Sequence, residues 1–305
     1  MNSRKLKQKN NVSFTVCPLC RNSAELCDSH IIPQFVFDWL KRTSSTGFLR
    51  LLSSINRRVQ DGHTEQMLCA SCENLFSGWE KEFAETVFKP FHDTETEVVD
   101  YSAWMLKFAV SIVWRVLVVS RQLGLNNYST HQLSMVDSAL ETWREFLIAD
   151  STAPRLPNIR LLLLDPAVNT SLPNVPEDLN RYFMRAVETD VCKSLTGMFV
   201  YAKMCRITLI GFVNMPESHN VLGLPIQLGH GQIDRRSSQT ITEDVFDYMM
   251  RRVQHMTKIE STISGKQRRN IDTSIDSNPE SYLTSETHDA LVKDIVLNAN
   301  QRRRD

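Results

Sequence analysis

The chain has 305 residues, with Lys+Arg and Asp+Glu balanced at 35 each and 42% hydrophobic residues. That can bury one large core, or a small module joined to a domain of about 200 residues. Zero net charge argues against a protein that grips nucleic acid over its whole surface. The charge is uneven, however. Up to residue 60, Arg4, Lys5, Lys7, Lys9, Arg21, Lys41, Arg42, Arg50, Arg57 and Arg58 stand against only Glu25, Asp28 and Asp38, so the first part is basic and the remainder correspondingly acidic.

Residues 1–13 read as a disordered basic arm, with no apolar stretch behind the positive charges to make a secretory signal. Cys17 and Cys20 then form a Cys-x-x-Cys knuckle, expected within residues 14–25. Residues 26–32 read as an extended segment that ends at Pro33. Residues 34–41 carry Phe35, Val36, Trp39 and Leu40 at helical spacing. Residues 43–66 are an insertion rich in Ser, Arg and Gly, with a strand at 48–51 and a turn at 60–62. A second knuckle, Cys69 and Cys72, opens a helix marked by Leu75, Phe76, Trp79, Phe83, Val87 and Phe88, which Pro90 is expected to stop. The aromatic members of that set read as core.

The second region opens with Asp100-Tyr-Ser-Ala-Trp-Met-Leu, where an acidic or hydroxyl cap precedes a long apolar helix that runs to about Leu123. Lys107 and Arg115 fall inside this run and would each cost a few kcal/mol at a bilayer centre, so it is expected to be a buried helix and not a membrane span. A second helix is predicted at 129–149 and a buried strand at 159–164. Residues 173–176 read as a loop, and 181–189 and 198–212 as paired antiparallel strands. Helices at 242–260 and 285–298 flank a polar linker at 264–281, and the tail from 301 reads as disordered. His219, His230 and His255 are ordinary residues of this region. The fold class is therefore α+β, with a module at 14–92 and a larger mixed helical and antiparallel-sheet domain at 100–300. With no signal or span, the expected compartment is the reducing cytoplasm, where paired Cys-x-x-Cys spacing favours metal over disulfide.

Two knuckles supply the four sulfurs that a closed, structural Zn²⁺ site takes. Cys27, Cys192 and Cys205 are left as buried thiols. Between the knuckles lies Asp28-Ser29-His30-Ile31-Ile32-Pro33. The order knuckle, His-Ile-Ile-Pro, knuckle, helix resembles the HNH endonucleases over roughly residues 14–90. The resemblance implies a ββα-metal, treble-clef module in which Cys17, Cys20, Cys69 and Cys72 hold structural zinc. It also implies His30 as general base and Glu73, the residue after the last cysteine, as ligand of a catalytic Mg²⁺ or Mn²⁺. The family usually has Asp or Glu before the histidine and Asn where this chain has Glu73. Here Ser29 takes the first place, and Asp28, Ser29 and Glu80 are further candidate ligands. Asn56 is a candidate match to the family's loop-orienting Asn, without a local motif to secure it. Arg50, Arg57 and Arg58 are candidate contacts to nucleic-acid phosphates.

The implied function is a metal-dependent endonuclease acting on nucleic acid, DNA before RNA, whose second domain binds a regulatory partner or another copy. The motifs Arg-x-x-Gln-Asp-Gly and Leu-Cys-x-x-Cys-Glu, with Ser-His-Ile-Ile-Pro, are similar to bacterial HNH-like proteins near phage-defence genes, which suggests an antiviral effector. A non-catalytic treble clef that binds nucleic acid or protein is the alternative, and a toxin held inactive by a partner a third reading.

Overall fold

A computed structural model describes residues 15–149, 156–172, 175–194, 197–214 and 220–303. The expected basic arm at 1–13, part of the 173–176 loop and His219 lie outside the described residues. Strand β1 (Leu26–His30) leads into helix α1 (Gln34–Arg42). The insertion carries a small hairpin, β2 (Leu49–Arg50) against β3 (Arg58–Val59). Strand β4 (Thr64–Cys69) returns antiparallel to β1, and helix α2 (Ala70–Phe83) follows at once. Two antiparallel strands and a helix thus form the frame on which the conspicuous residues sit.

Pro90 does not stop the helix as the sequence suggests. A π segment at Ala84–Phe88 widens the winding, with the Lys89 N–H bonded to the Ala84 carbonyl, and α3 (Lys89–Asp93) continues beyond. The widened ladder accommodates the N–H that proline lacks.

Strand β5 (Val98–Tyr101) pairs with a distant strand, so Asp100 is a ladder residue and not a helix cap. Helix α4 (Trp104–Leu123) begins with no side-chain cap, whereas Ser129 and Gln132 form a reciprocal capping box at the start of α5 (Thr130–Ile148). After β6 (Ile159–Leu163) comes helix α6 (Leu179–Arg185), which takes in residues 181–185 of the strand expected at 181–189. Asp294 explains the difference, since its carboxylate accepts the N–H groups of Asn180 and Arg181 and caps that helix from a remote part of the chain. Strands β7 (Val187–Lys193), β8 (Met198–Met204) and β9 (Ile207–Asn214) follow, then the short β10 (Leu224–Pro225) and β11 (Gly231–Asp234), the partner of β5. Helices α7 (Glu243–Glu260), α8 (Gly265–Ser277), α9 (Pro279–Leu283) and α10 (Glu286–Arg302) complete the chain. The expected linker at 264–281 is thus helical, started by the Ser264 and Asn278 side chains as N-caps. The tail is helical to Arg302.

The main sheet is antiparallel in the order β10-β6-β9-β8-β7 and is covered on both faces. Val200, Ala202 and Met204 face one apolar cluster with α4, while Phe199 and Tyr201 face another with α6 and α7. Helix α4 lies so close that a Cβ on Gly211 of β9 would meet Val113 at 2.9 Å. Its burial explains its almost unbroken apolar sequence, and no helix among the described residues is long and apolar enough to cross a membrane. One continuous buried cluster runs from Cys17 through Phe76 and Trp114 to Ile207. Burying apolar area at about 25 cal/mol per Å² therefore ties the cysteine-bearing frame to the sheet. The mixed α+β class expected from the sequence is the class observed.

A four-cysteine centre beside a histidine and carboxylate cluster

The first knuckle is closed by Cys17 N–H to the Asn22 carbonyl (2.9 Å) and Arg21 N–H to the Cys17 carbonyl (2.8 Å), with Arg21 in the left-handed region. From α5, Arg144 donates to the Leu19 carbonyl at 3.1 Å and holds the turn in place. Cys69 is the N-cap residue of α2 and Cys72 lies in its first turn. The sulfurs of Cys17, Cys20, Cys69 and Cys72 all lie within 4.8 Å of one another, and Cys20 and Cys69 are 3.7 Å apart. A tetrahedral zinc with Zn–S bonds of about 2.3 Å needs sulfurs about 3.8 Å apart, so the set fits that ion.

Ser71 and the Cys72 backbone N–H hold the Cys69 thiol down to about 6, whereas burial pushes Cys20 and Cys72 up. Four thiols this close compete for protons, and a cation among them would hold all four as thiolates. Among the described residues, no other group of three or more His, Cys, Asp or Glu side chains is close enough to share an ion. Cys27 is half-buried and outside the set, while Cys192 and Cys205 are buried thiols in the sheet region.

Ser29, expected as a weak stand-in for a carboxylate, is fully buried. Its hydroxyl donates to Glu73 Oε2 at 2.8 Å and accepts the Leu68 N–H at 3.2 Å. One serine thereby fixes a carboxylate of α2 against the strand pair. Directly opposite Ser29 is Glu65, only 3% exposed, whose Oε1 lies 2.7 Å from His63 Nε2. Asp28 is exposed opposite Gln66, on the other face of β1 from Ser29.

His30 ends β1, with Nε2 2.9 Å from Asp61 Oδ1. An ionised carboxylate only accepts, so this contact assigns the proton to Nε2 and leaves Nδ1 as the basic nitrogen. Asp61 Oδ1 also takes the Gly62 N–H. The turn packs so tightly that a Cβ on Gly62 would meet the Phe37 ring at 2.1 Å. From α4, the almost wholly buried Arg115 donates to the His30 carbonyl and to Glu80 Oε1, each at 2.7 Å. Glu80 is therefore engaged as the counter-ion of Arg115 and does not join Glu73. Asn56 accepts the Ser264 N–H at 2.7 Å, which ties the insertion to α8. Arg57 and Arg58 are exposed, Arg58 over the Phe48 ring, whereas Arg50 turns inward. Phe76, Phe83 and Phe88 are buried, and Phe83 stacks on Phe108, so these rings are core.

Sequence reasoning missed Asp61, His63, Glu65 and Arg115. Glu65 had a signal, because it alternates in phase with buried Met67 and Cys69. Arg115 had another, a cation amid Val113, Trp114, Val116 and Leu117.

No protein-family model matches the chain, and neither a curated protein nor a solved structure matches it significantly. The fold and site define a mixed α+β protein with a four-cysteine group competent to bind a metal such as zinc.

Proposed function

We propose that the protein is a zinc-stapled, HNH-type endonuclease whose β1, β4 and α2 form a treble-clef, ββα-metal module. The observation that carries this reading is the adjacency on β1 of Ser29, bonded to Glu73, and His30, bonded to Asp61, beside the four-cysteine group. Cys17, Cys20, Cys69 and Cys72 hold the zinc, which shapes the module and takes no part in chemistry.

His30 accepts a proton at Nδ1 from the water that attacks phosphorus, and Asp61 orients the ring and stabilises the imidazolium that results. Arg115 pins the backbone of His30 so that the imidazole does not drift. Glu73 is a hard oxygen ligand held by Ser29, and a Mg²⁺ or Mn²⁺ bound there would supply Lewis-acid stabilisation of charge developing on the phosphate. Such an ion needs only one or two carboxylates, the rest being water and phosphate. Exposed Arg57 and Arg58 supply backbone phosphate contacts. Substrate is nucleic acid, with DNA the first expectation. An antiviral role for the enzyme follows only from the sequence resemblance.

The test is cleavage of supercoiled plasmid and of single-stranded DNA and RNA with Mg²⁺, Mn²⁺ or EDTA. A binding-only treble clef is the second reading. Ser29 in the usual carboxylate position, and Glu80 committed to Arg115, favour it. Nucleic-acid binding without cleavage under any metal would establish it.

A further inference from the structure

Between the insertion and helices α6, α7 and α8 lies a cavity of about 400 Å³, within the size range of small-molecule sites, about 300–1,000 Å³. Its wall is largely apolar, with Leu52, Ile55, Met256 and Ile271 among the lining residues, and it also includes Arg50, Arg181, Arg185, Asp61, Glu188 and Glu260. The three carboxylates are each engaged. Asp61 pairs with His30, Glu188 with Arg252 and Tyr182, and Glu260 with Arg181.

The cations are not all engaged in turn. Arg181 also pairs with Asp178, whereas Arg185 donates to the Leu40 carbonyl and the Thr43 hydroxyl and lies over the Trp39 ring, with no carboxylate bonded to it among the described residues. Arg50 has buried Nε and Nη2 atoms with no hydrogen-bond partner. Arg50 as a whole is half-buried, but a buried N–H without an acceptor is costly, and each of these two forfeits a charge-assisted bond. Glu260 and Glu286 are close enough to act on Arg50 and Arg185 through space, yet neither bonds to them.

We propose that this cavity binds a small molecule with one anionic group, phosphate or carboxylate, seated on Arg50 beside Arg185, and an apolar body against Leu52, Met256 and Ile271. Such a ligand supplies the missing counter-ion and fills the apolar volume together, which neither inorganic phosphate nor a neutral aromatic does. It would also touch Asp61, so under the nuclease reading above it occupies a regulatory position behind His30. The binding claim itself does not depend on that reading.

The experiment is isothermal titration of the full-length, zinc-loaded protein with phenyl phosphate, benzoate, inorganic phosphate and benzyl alcohol. Saturable one-site binding of phenyl phosphate or benzoate is expected, tighter than either of the last two, and the stronger of the pair identifies the anion. Arg50→Met should weaken it about tenfold or more, the scale of a lost charge-assisted bond, with melting temperature and zinc content retained. Ile271→Trp, which keeps the charge and fills the cavity, should also abolish binding. No saturable binding, or equal binding by Arg50→Met, would overturn the proposal. Competitive displacement by a single-stranded oligonucleotide would do the same, by assigning Arg50 to a nucleic-acid groove.

Discussion

Ser29, without solvent exposure, donates to Glu73 at 2.8 Å. The same hydroxyl is the acceptor for the Leu68 N–H, so one small side chain joins the strand pair to the helix and fixes the carboxylate. Ser29→Ala removes both bonds and leaves a buried N–H unpaired. The expected loss is about 1–3 kcal/mol, read as a lower urea midpoint with unchanged slope. An unchanged midpoint would mean that the bond holds nothing.

Arg115 is the stronger constraint. It is about 1% exposed and its nearest carboxylate, Glu80, is 21% exposed. Glu80→Gln strands a buried cation and should cost about 3 kcal/mol or more. Arg115→Met with Glu80→Gln should recover part of that, because the desolvated charge is gone. A double-mutant cycle with no coupling would show that the two do not act as a pair.

The metal assignment separates the cysteines sharply. Cys72→Ser should lose zinc and unfold the frame, as should chelation, since binding energy of such sites is folding energy. Cys27→Ser should retain one zinc per chain by mass spectrometry under native conditions. Zinc retention by Cys72→Ser would exclude it from the ligand set.

His92 sets a pH dependence. Its Nδ1 is 2.8 Å from the Phe88 carbonyl and its Nε2 accepts the Arg206 N–H, so the neutral ring is built into the structure. Burial lowers its pKa from 6.5 to about 4. Below 6.5 the unfolded chain takes up a proton that the folded chain refuses, so stability falls with pH from 6.5 to about 4. The slope approaches 1.4 kcal/mol per pH unit, about 3 kcal/mol in all. His92→Gln should lack this component in urea melts across that range.

Much of the frame was legible locally. The knuckles, the apolar periodicity of α2 and the long apolar run of α4 each follow from neighbouring residues, and the helix expected at 129–149 is α5. What was not legible depends on remote partners. Residues 181–185 read as strand until Asp294 is seen to cap them, and Pro90 reads as a stop until the π segment displaces the ladder. The site divides in the same way. His30 and Glu73 stand in recognisable motifs, whereas Asp61 looked like a turn residue and Arg115 like a misplaced charge. Only the close packing of the Gly62 turn and of α4 brings those two to His30.

Metal-dependent cleavage of supercoiled plasmid and of single-stranded DNA and RNA, comparing wild type with His30→Ala and Glu73→Gln at matched zinc content, tests the central claim most directly. The account predicts cleavage by the wild type with Mg²⁺ or Mn²⁺, its loss in both variants, and zinc bound in all three proteins. Cleavage that survives His30→Ala, or zinc that leaves with it, would contradict the assignment of chemistry to His30 and of structure to the cysteines.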